Sequence, residues 1–136
     1  MKITRECDYA IRILLMLSTI GDGKITDART ISEEQCIPLQ FTLKILRKLL
    51  GAGLVRSYKG MHGGYCLNVA PKDLSINEVI TLIDGGEGIN ECFQCGYKCN
   101  RVENVEDCPV HVKLGMVNQL LTEKLSQITF ESLITK

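Results

Sequence analysis

The chain has 136 residues, 45% of them apolar, with no Trp and a formal net charge of zero. That length bounds it to one or two small units around an aliphatic core, and the balanced charge speaks against indiscriminate attraction to nucleic acid. The N-terminus lacks the apolar run of a signal peptide, and no window approaches the roughly 18 uninterrupted apolar residues of a membrane span, so a cytoplasmic protein with no membrane partner is expected.

Thr4 predicts the cap of a first helix, with Glu6 and Asp8 near its first turn, where the helix dipole favours anions. Tyr9 to Leu17 is apolar almost all round, so this helix is expected to be buried on more than one side. Gly21-Asp22-Gly23 ends it. Thr26 or Asp27 caps a short second helix, Ala28 to Gln35. Pro38 suits the first position of a third, running to about Leu50. Leu39, Leu43, Leu46 and Leu50 predict its buried face, leaving Gln40, Phe41, Lys44, Arg47 and Lys48 outward. From Pro38 to Cys66 there are five bases and no acid. A short helix, a turn and a second helix with a basic face predict a helix-turn-helix.

Leu54–Tyr58 and Tyr65–Val69 read as strands, and the Gly-rich stretch between them makes a hairpin. Helix-turn-helix followed by hairpin is the order of a winged helix. After Pro71, Ser75 and Glu78 predict a capping box, with Leu74 and Val79 as a hydrophobic staple, for a short helix ending near Ile83. The last long helix is expected from about Cys108-Pro109 to Ile128. Its stripe of Val110, Leu114, Val117, Leu121, Leu125 and Ile128 predicts a two-fold homodimer seam. The fold class is therefore mainly α with a small β-hairpin wing. Residues 1–71 form the winged helix-turn-helix. Residues 72–136 carry a linker helix, a Cys-rich loop (84–108) and a dimerisation helix (109–128).

The densest chemistry lies in that loop. Cys92, Cys95, Cys99, Cys108 and His111 follow the spacing C-x2-C-x3-C-x8-C-x2-H. Thiolates and imidazoles so spaced can converge on a soft metal centre, and reduced thiols in the cytoplasm read as ligands or sensors. Spacing alone leaves an iron–sulfur cluster, a structural zinc and a metal-free thiol switch open. Cys7, Cys36 and Cys66 are isolated in sequence and read as small buried hydrophobes. The bland readings of the other residues are a solvated first-turn carboxylate for Asp8 and a helix-start histidine for His111. Lys44, Arg47 and Lys48 read blandly as a solvated helix face. No nucleotide-binding Gly loop, paired-carboxylate pattern or Ser/His/Asp arrangement appears, so an enzyme is not expected.

Asp8-Tyr9-Ala10-Ile11-Arg12, Ile37-Pro38, Lys44-Ile45-Leu46, Ala52-Gly53-Leu54-Val55, the wing Gly63-Gly64-Tyr65 and Cys108-Pro109-Val110-His111 resemble the Rrf-two superfamily of bacterial winged-helix repressors. The resemblance covers nearly the whole chain. That superfamily includes an iron–sulfur biogenesis regulator, a nitric-oxide-responsive repressor and a cysteine-metabolism regulator without a cluster. The resemblance implies a transcription factor, a repressor, whose operator binding depends on an iron–sulfur cluster (2Fe-2S or 4Fe-4S), with zinc as the alternative cofactor. It implies Cys92 and Cys108 as the outer ligands and Cys99 as the middle one, a position that Cys95 could take instead. The fourth is Asp8 acting in trans from the partner subunit, with Cys95 and His111 as alternatives.

In the helix-turn-helix reading, Gln40, Phe41 and Lys44 lie nearest the bases of a near-palindromic operator. Arg47, Arg56 and Lys59 hold phosphates beside Lys48, and His62 at the wing tip touches phosphate or the minor groove.

Overall fold

α1 (Arg5–Ile20) forms the centre of the molecule. In the computed structural model, which describes residues 2–21, 23–86 and 88–135, Cys7, Ala10, Ile13, Leu14 and Leu17 of α1 are buried. Ile11 and Leu15 are half-buried against the same core, as an apolar circumference requires. Thr4 caps the helix by accepting from the Cys7 N–H.

α2 (Ala28–Gln35) and α3 (Leu39–Gly51) follow, joined by a turn through Cys36. Asp27 caps α2, accepting from the Thr30 N–H at 2.7 Å and the Thr30 hydroxyl at 3.0 Å. These bonds, the backbone one first, hold its carboxyl below the usual range. A depressed carboxyl contributes stability in full above its unfolded pKa and loses it as pH falls through the folded value. The wild type should therefore lose stability relative to Asp27→Asn on acidification through that window. Urea midpoints taken across the acid range check this; parallel curves contradict it.

The inward face of α3 differs from the leucine stripe expected. Thr42, Ile45, Leu46 and Leu49 are buried, whereas Leu43 is exposed. The leucines define two overlapping stripes a fraction of a turn apart. Thr42 is buried without cost because its hydroxyl donates to the Pro38 carbonyl at 3.3 Å. Pro38 sits one position earlier than expected, as the N-cap. Cys36 is also not a buried hydrophobe. It is exposed, in the left-handed conformation that closes α2 (φ 54°). Cys7 and Cys66 are buried, as expected.

β1 (Val55–Tyr58) and β2 (Gly64–Leu67) form an antiparallel hairpin with Val55 opposite Leu67 and Tyr58 opposite Gly64. Thr26 and Tyr65 exchange backbone bonds of 2.9 and 2.8 Å, which seats the hairpin on the segment before α2. The approach is so close that a Cβ on Gly64 would lie 2.5 Å from the Thr26 carbonyl oxygen. A Cβ on Gly63 would lie 2.1 Å from that of Tyr58. Only glycine fits either position.

α4 (Ile76–Asp84) opens on the complete capping box of Ser75 and Glu78, with Leu74 and Val79 both buried. The loop after it is less irregular than expected, containing one-turn 3-10 helices at Glu91–Phe93 and Val105–Asp107. α5 (Pro109–Gln127) then runs along the surface, and α6 (Phe130–Ile134) turns back onto the core. Phe130 is fully buried in the core, where α6 meets α1 and the turn at Pro71–Asp73. The Ile76 N–H donates to Ile128 and the Phe130 N–H to Leu74, both at 2.9 Å.

The stripe expected on α5 is split. Leu114, Leu121 and Leu125 are half-buried on the protein's own side, while Val110, Val117 and Ile128 are exposed, as are Met116 and Leu120 outside the stripe. No helix is long and apolar enough to cross a membrane, among the described residues.

Candidate metal centre and nucleic-acid interface

Two devices fix the ends of the cysteine loop. At its start, Asn118 of α5 accepts from the Ile89 N–H at 3.1 Å, and Gly88 lies against the same side chain. Asp84, the last residue of α4, accepts from the Thr4 N–H at 3.1 Å and from the Thr4 hydroxyl. Its carboxylate sits at the positive end of α1, where an anion is favoured. At the other end, Pro109 occupies the first turn of α5 and Cys108 is its N-cap.

Between these ends Cys92, Cys99, Cys108 and His111 line one cleft of about 230 Å³, together with Asn90, Tyr97, Arg101 and Val105. Cys95 is exposed and does not line it. His111 Nδ1 lies 3.1 Å from Cys92 Sγ, and its ring lies 4.8 Å from that of Phe93. The Arg101 guanidinium donates to Cys108 Sγ at 2.8 Å, and the Arg101 backbone N–H to Cys99 Sγ at 3.4 Å. Arg101 escaped sequence reasoning; the one available signal was a cation standing among the loop's acids.

Electrostatics favour thiolate here. Backbone N–H groups of Arg101 and then Val102 hold the Cys99 thiol below its usual pKa. Cys108 makes no formed side-chain cap, yet the free N–H of His111, followed by that of Val110, faces its sulfur and lowers its pKa, with a further contribution from Arg101. Cys7 is the opposite case: burial first, then the charge of Asp84, push its thiol up to about 12. In metal-free protein at neutral pH, Cys99 and Cys108 should therefore be alkylated in the native state. Cys7 should react only on unfolding. Timed iodoacetamide labelling with peptide mass spectrometry reads this, and native-state labelling of Cys7 contradicts it.

The donor set suits a soft metal centre: three thiols and an imidazole, two of the thiols depressed. Among the described residues, no three His, Cys, Asp or Glu side chains stand close enough to share a single ion. Instead His111 pairs with Cys92, and Cys99 and Cys108 each meet Arg101. A single zinc needs every donor within about 2.0–2.3 Å of one ion, whereas an iron–sulfur cluster distributes its ligands over several irons. Asp8 lies outside this cleft and pairs with Arg12 at 2.7 Å, both half-exposed.

The basic face is built on α3. Gln40, Phe41, Lys44, Arg47 and Lys48 are all exposed. Phe41 is held edge-on by Tyr9 at 6.4 Å, and Tyr9 is itself covered by the Arg12 guanidinium at 5.4 Å. Lys48 and Lys44 are less free than the sequence implied, reaching the same Glu6 oxygen at 2.6 and 3.7 Å. Arg56 donates to Asn68, whose amide donates to the Gly53 carbonyl at 2.8 Å, so it braces the hairpin. Lys59, Met61 and His62 project at the wing tip, Met61 with 94% of its surface exposed.

Comparison with known proteins places the chain in a family. The family model described as "Rrf2: Iron-dependent Transcriptional regulator" matches residues 3–136. The HTH-type transcriptional regulator NsrR of Bacillus subtilis is 31% identical over 93 residues, 68% of this chain and 64% of that protein. The chain thus spans just under two thirds of that relative's length. Protein rrf2 of Nitratidesulfovibrio vulgaris is 27% identical over 134 residues, 98% of this chain and 87% of that protein.

Among solved structures, CymR, the global cysteine regulator of B. subtilis, superposes with a TM-score of 0.78 at 20% identity, covering 98% of this chain and 96% of that one. IscR of T. potens gives 0.76 at 19% identity, covering 98% and 86%. These two share the winged-helix fold.

Proposed function

Because this chain belongs to the Rrf2 family of transcriptional regulators, we propose that it represses transcription as a two-fold homodimer whose operator binding is controlled by an iron–sulfur cluster. Cys92, Cys99 and Cys108 are the proposed ligands. The observation that carries the reading is the single cleft they share with His111, from which Cys95 is excluded. His111 accordingly joins Asp8 of the partner subunit as the candidate for the fourth position. The family's description as iron-dependent agrees.

When bound, the cluster supplies a redox- and ligand-sensitive cross-link within the loop. The residues do the rest. Arg101 and the backbone N–H groups lower the pKa of Cys99 and Cys108, which favours the thiolate form a metal binds. Asn118 and Asp84 fix where the loop starts relative to α5 and α1. Gln40, Phe41 and Lys44 face the major groove, where Gln suits adenine and Phe a thymine methyl. Arg47 and Lys59 hold phosphates, and the wing tip follows the backbone or minor groove. The exposed residues Met116, Val117 and Leu120 supply the dimer seam, which gives a near-palindromic operator.

Anaerobic purification with iron and sulfide quantitation tests the cofactor, and operator titrations before and after its removal test the switch. Iron, sulfide and a fall in affinity on removal are expected; equal affinities end the switch reading.

A second reading has its own support. Cys99 and Cys108 share the cleft with Arg101 between them, an arrangement suited to thiol redox response without metal. It predicts protein free of iron and zinc and a redox-dependent dimer on a non-reducing gel.

A further inference from the structure

We propose that Glu6 is a specificity-determining residue for DNA recognition: its carboxylate serves as an internal counter-ion for Lys48 and Lys44 of α3, so that these cations do not attract phosphate indiscriminately. The inference rests on α3 being the DNA-reading helix. One Glu6 oxygen receives the Lys48 ammonium at 2.6 Å and approaches that of Lys44 at 3.7 Å. Residues 38–66 contain no acid, so the charge that meets these lysines is brought from another element, 42 positions away in sequence.

Its placement is built. Glu6 stands in the first turn of α1, where the helix dipole favours an anion. Thr4, bonded to both Cys7 and Asp84, fixes that turn. Arg47, the third cation of the face, has no ion pair among the described residues and stays available to phosphate.

Non-specific binding comes almost wholly from phosphate neutralisation and counter-ion release. A lysine already neutralised by Glu6 contributes little to it. On the operator, contacts to base edges add a gain that random sequence cannot supply. Glu6 thus lowers affinity for random DNA more than for the operator, which widens the ratio between them.

The test uses the whole protein, a duplex of random sequence and a duplex selected from a random pool, with fluorescence anisotropy across a salt series. Glu6→Gln should tighten random-duplex binding several-fold and steepen the slope of log affinity against log salt by about 0.9, the value of one released phosphate contact. The selected duplex should gain less. Glu34→Gln, on exposed α2, changes net charge equally and should leave the slope unchanged. In a Lys48→Met background the Glu6→Gln effect should shrink.

An exposed ion pair contributes little to stability, so the variant folds, which a thermal melt verifies. Glu6→Ala, with the same loss of charge, must behave alike. An unchanged slope, or weaker binding by Glu6→Gln, overturns the proposal. Failure of the wild type to bind any duplex overturns the DNA reading as well.

Discussion

Phe130→Ala should lower stability by about 3–5 kcal/mol, the range for emptying a fully buried aromatic site. Phe130 is wholly buried where α6 meets α1 and the 3-10 turn at Pro71–Asp73, in a core that also encloses Leu74, Ile13 and Val79. Rigid helices surround the site on several sides, so collapse into the cavity is limited and the full cost is expected. The loss should appear as a fall in melting temperature of roughly 10–20 °C for a domain of this size. Phe130→Leu, which keeps most of the volume, should cost far less. Urea denaturation with fitted midpoints measures both. A cost under about 1 kcal/mol for the alanine variant would mean that the C-terminal segment leaves the core in solution.

Cys108→Ser should abolish iron and sulfide in protein purified without oxygen, and Cys95→Ser should retain both. The contrast follows from position. Cys108 heads α5 inside the cleft with its sulfur facing free backbone N–H groups, whereas Cys95 is solvent-exposed outside it. A hydroxyl at position 108 stays protonated where the centre needs a thiolate. Operator affinity of Cys108→Ser should then fall by about 5- to 150-fold, the usual span of coupling between two sites. Absorption spectra, metal analysis and anisotropy titrations read the three quantities separately. A Cys95→Ser protein that loses its iron would move the middle ligand to Cys95 and would contradict the cleft as drawn.

Local signals carried much of the fold. Thr4, Asp27 and the Ser75/Glu78 box each act within three residues, so sequence spacing alone locates three helix starts. The Gly63-Gly64 pair similarly marks the turn into the second strand of the hairpin. Longer-range facts were hidden. The seven apolar positions of α3 fit two registers, and only packing against α1, α2 and β1 selects Thr42, Ile45, Leu46 and Leu49. The burial of Phe130 depends on a return of the chain to Leu74. Glu6 meets Lys48 across 42 positions. The cleft was half legible: the spacing from Cys92 to His111 marked the donors, but the path of the loop decides that His111 lines the cleft and Cys95 does not. Arg101 had no motif to announce it.

The backbone bridge between Ser75 and Thr129 has a mechanical consequence. It pins the C-terminal end of α5 to the base of α4 and so acts as a fulcrum. α5 has 19 residues, and at about 1.5 Å per residue it is a rod of roughly 28 Å. Cys108 rides at its far tip. A tilt of about 5° about the fulcrum would carry that tip roughly 2.5 Å over such a length, more than the reach of a metal–sulfur bond. The cysteine loop thus joins α5 at the end farthest from that pin, where a given tilt would move it most.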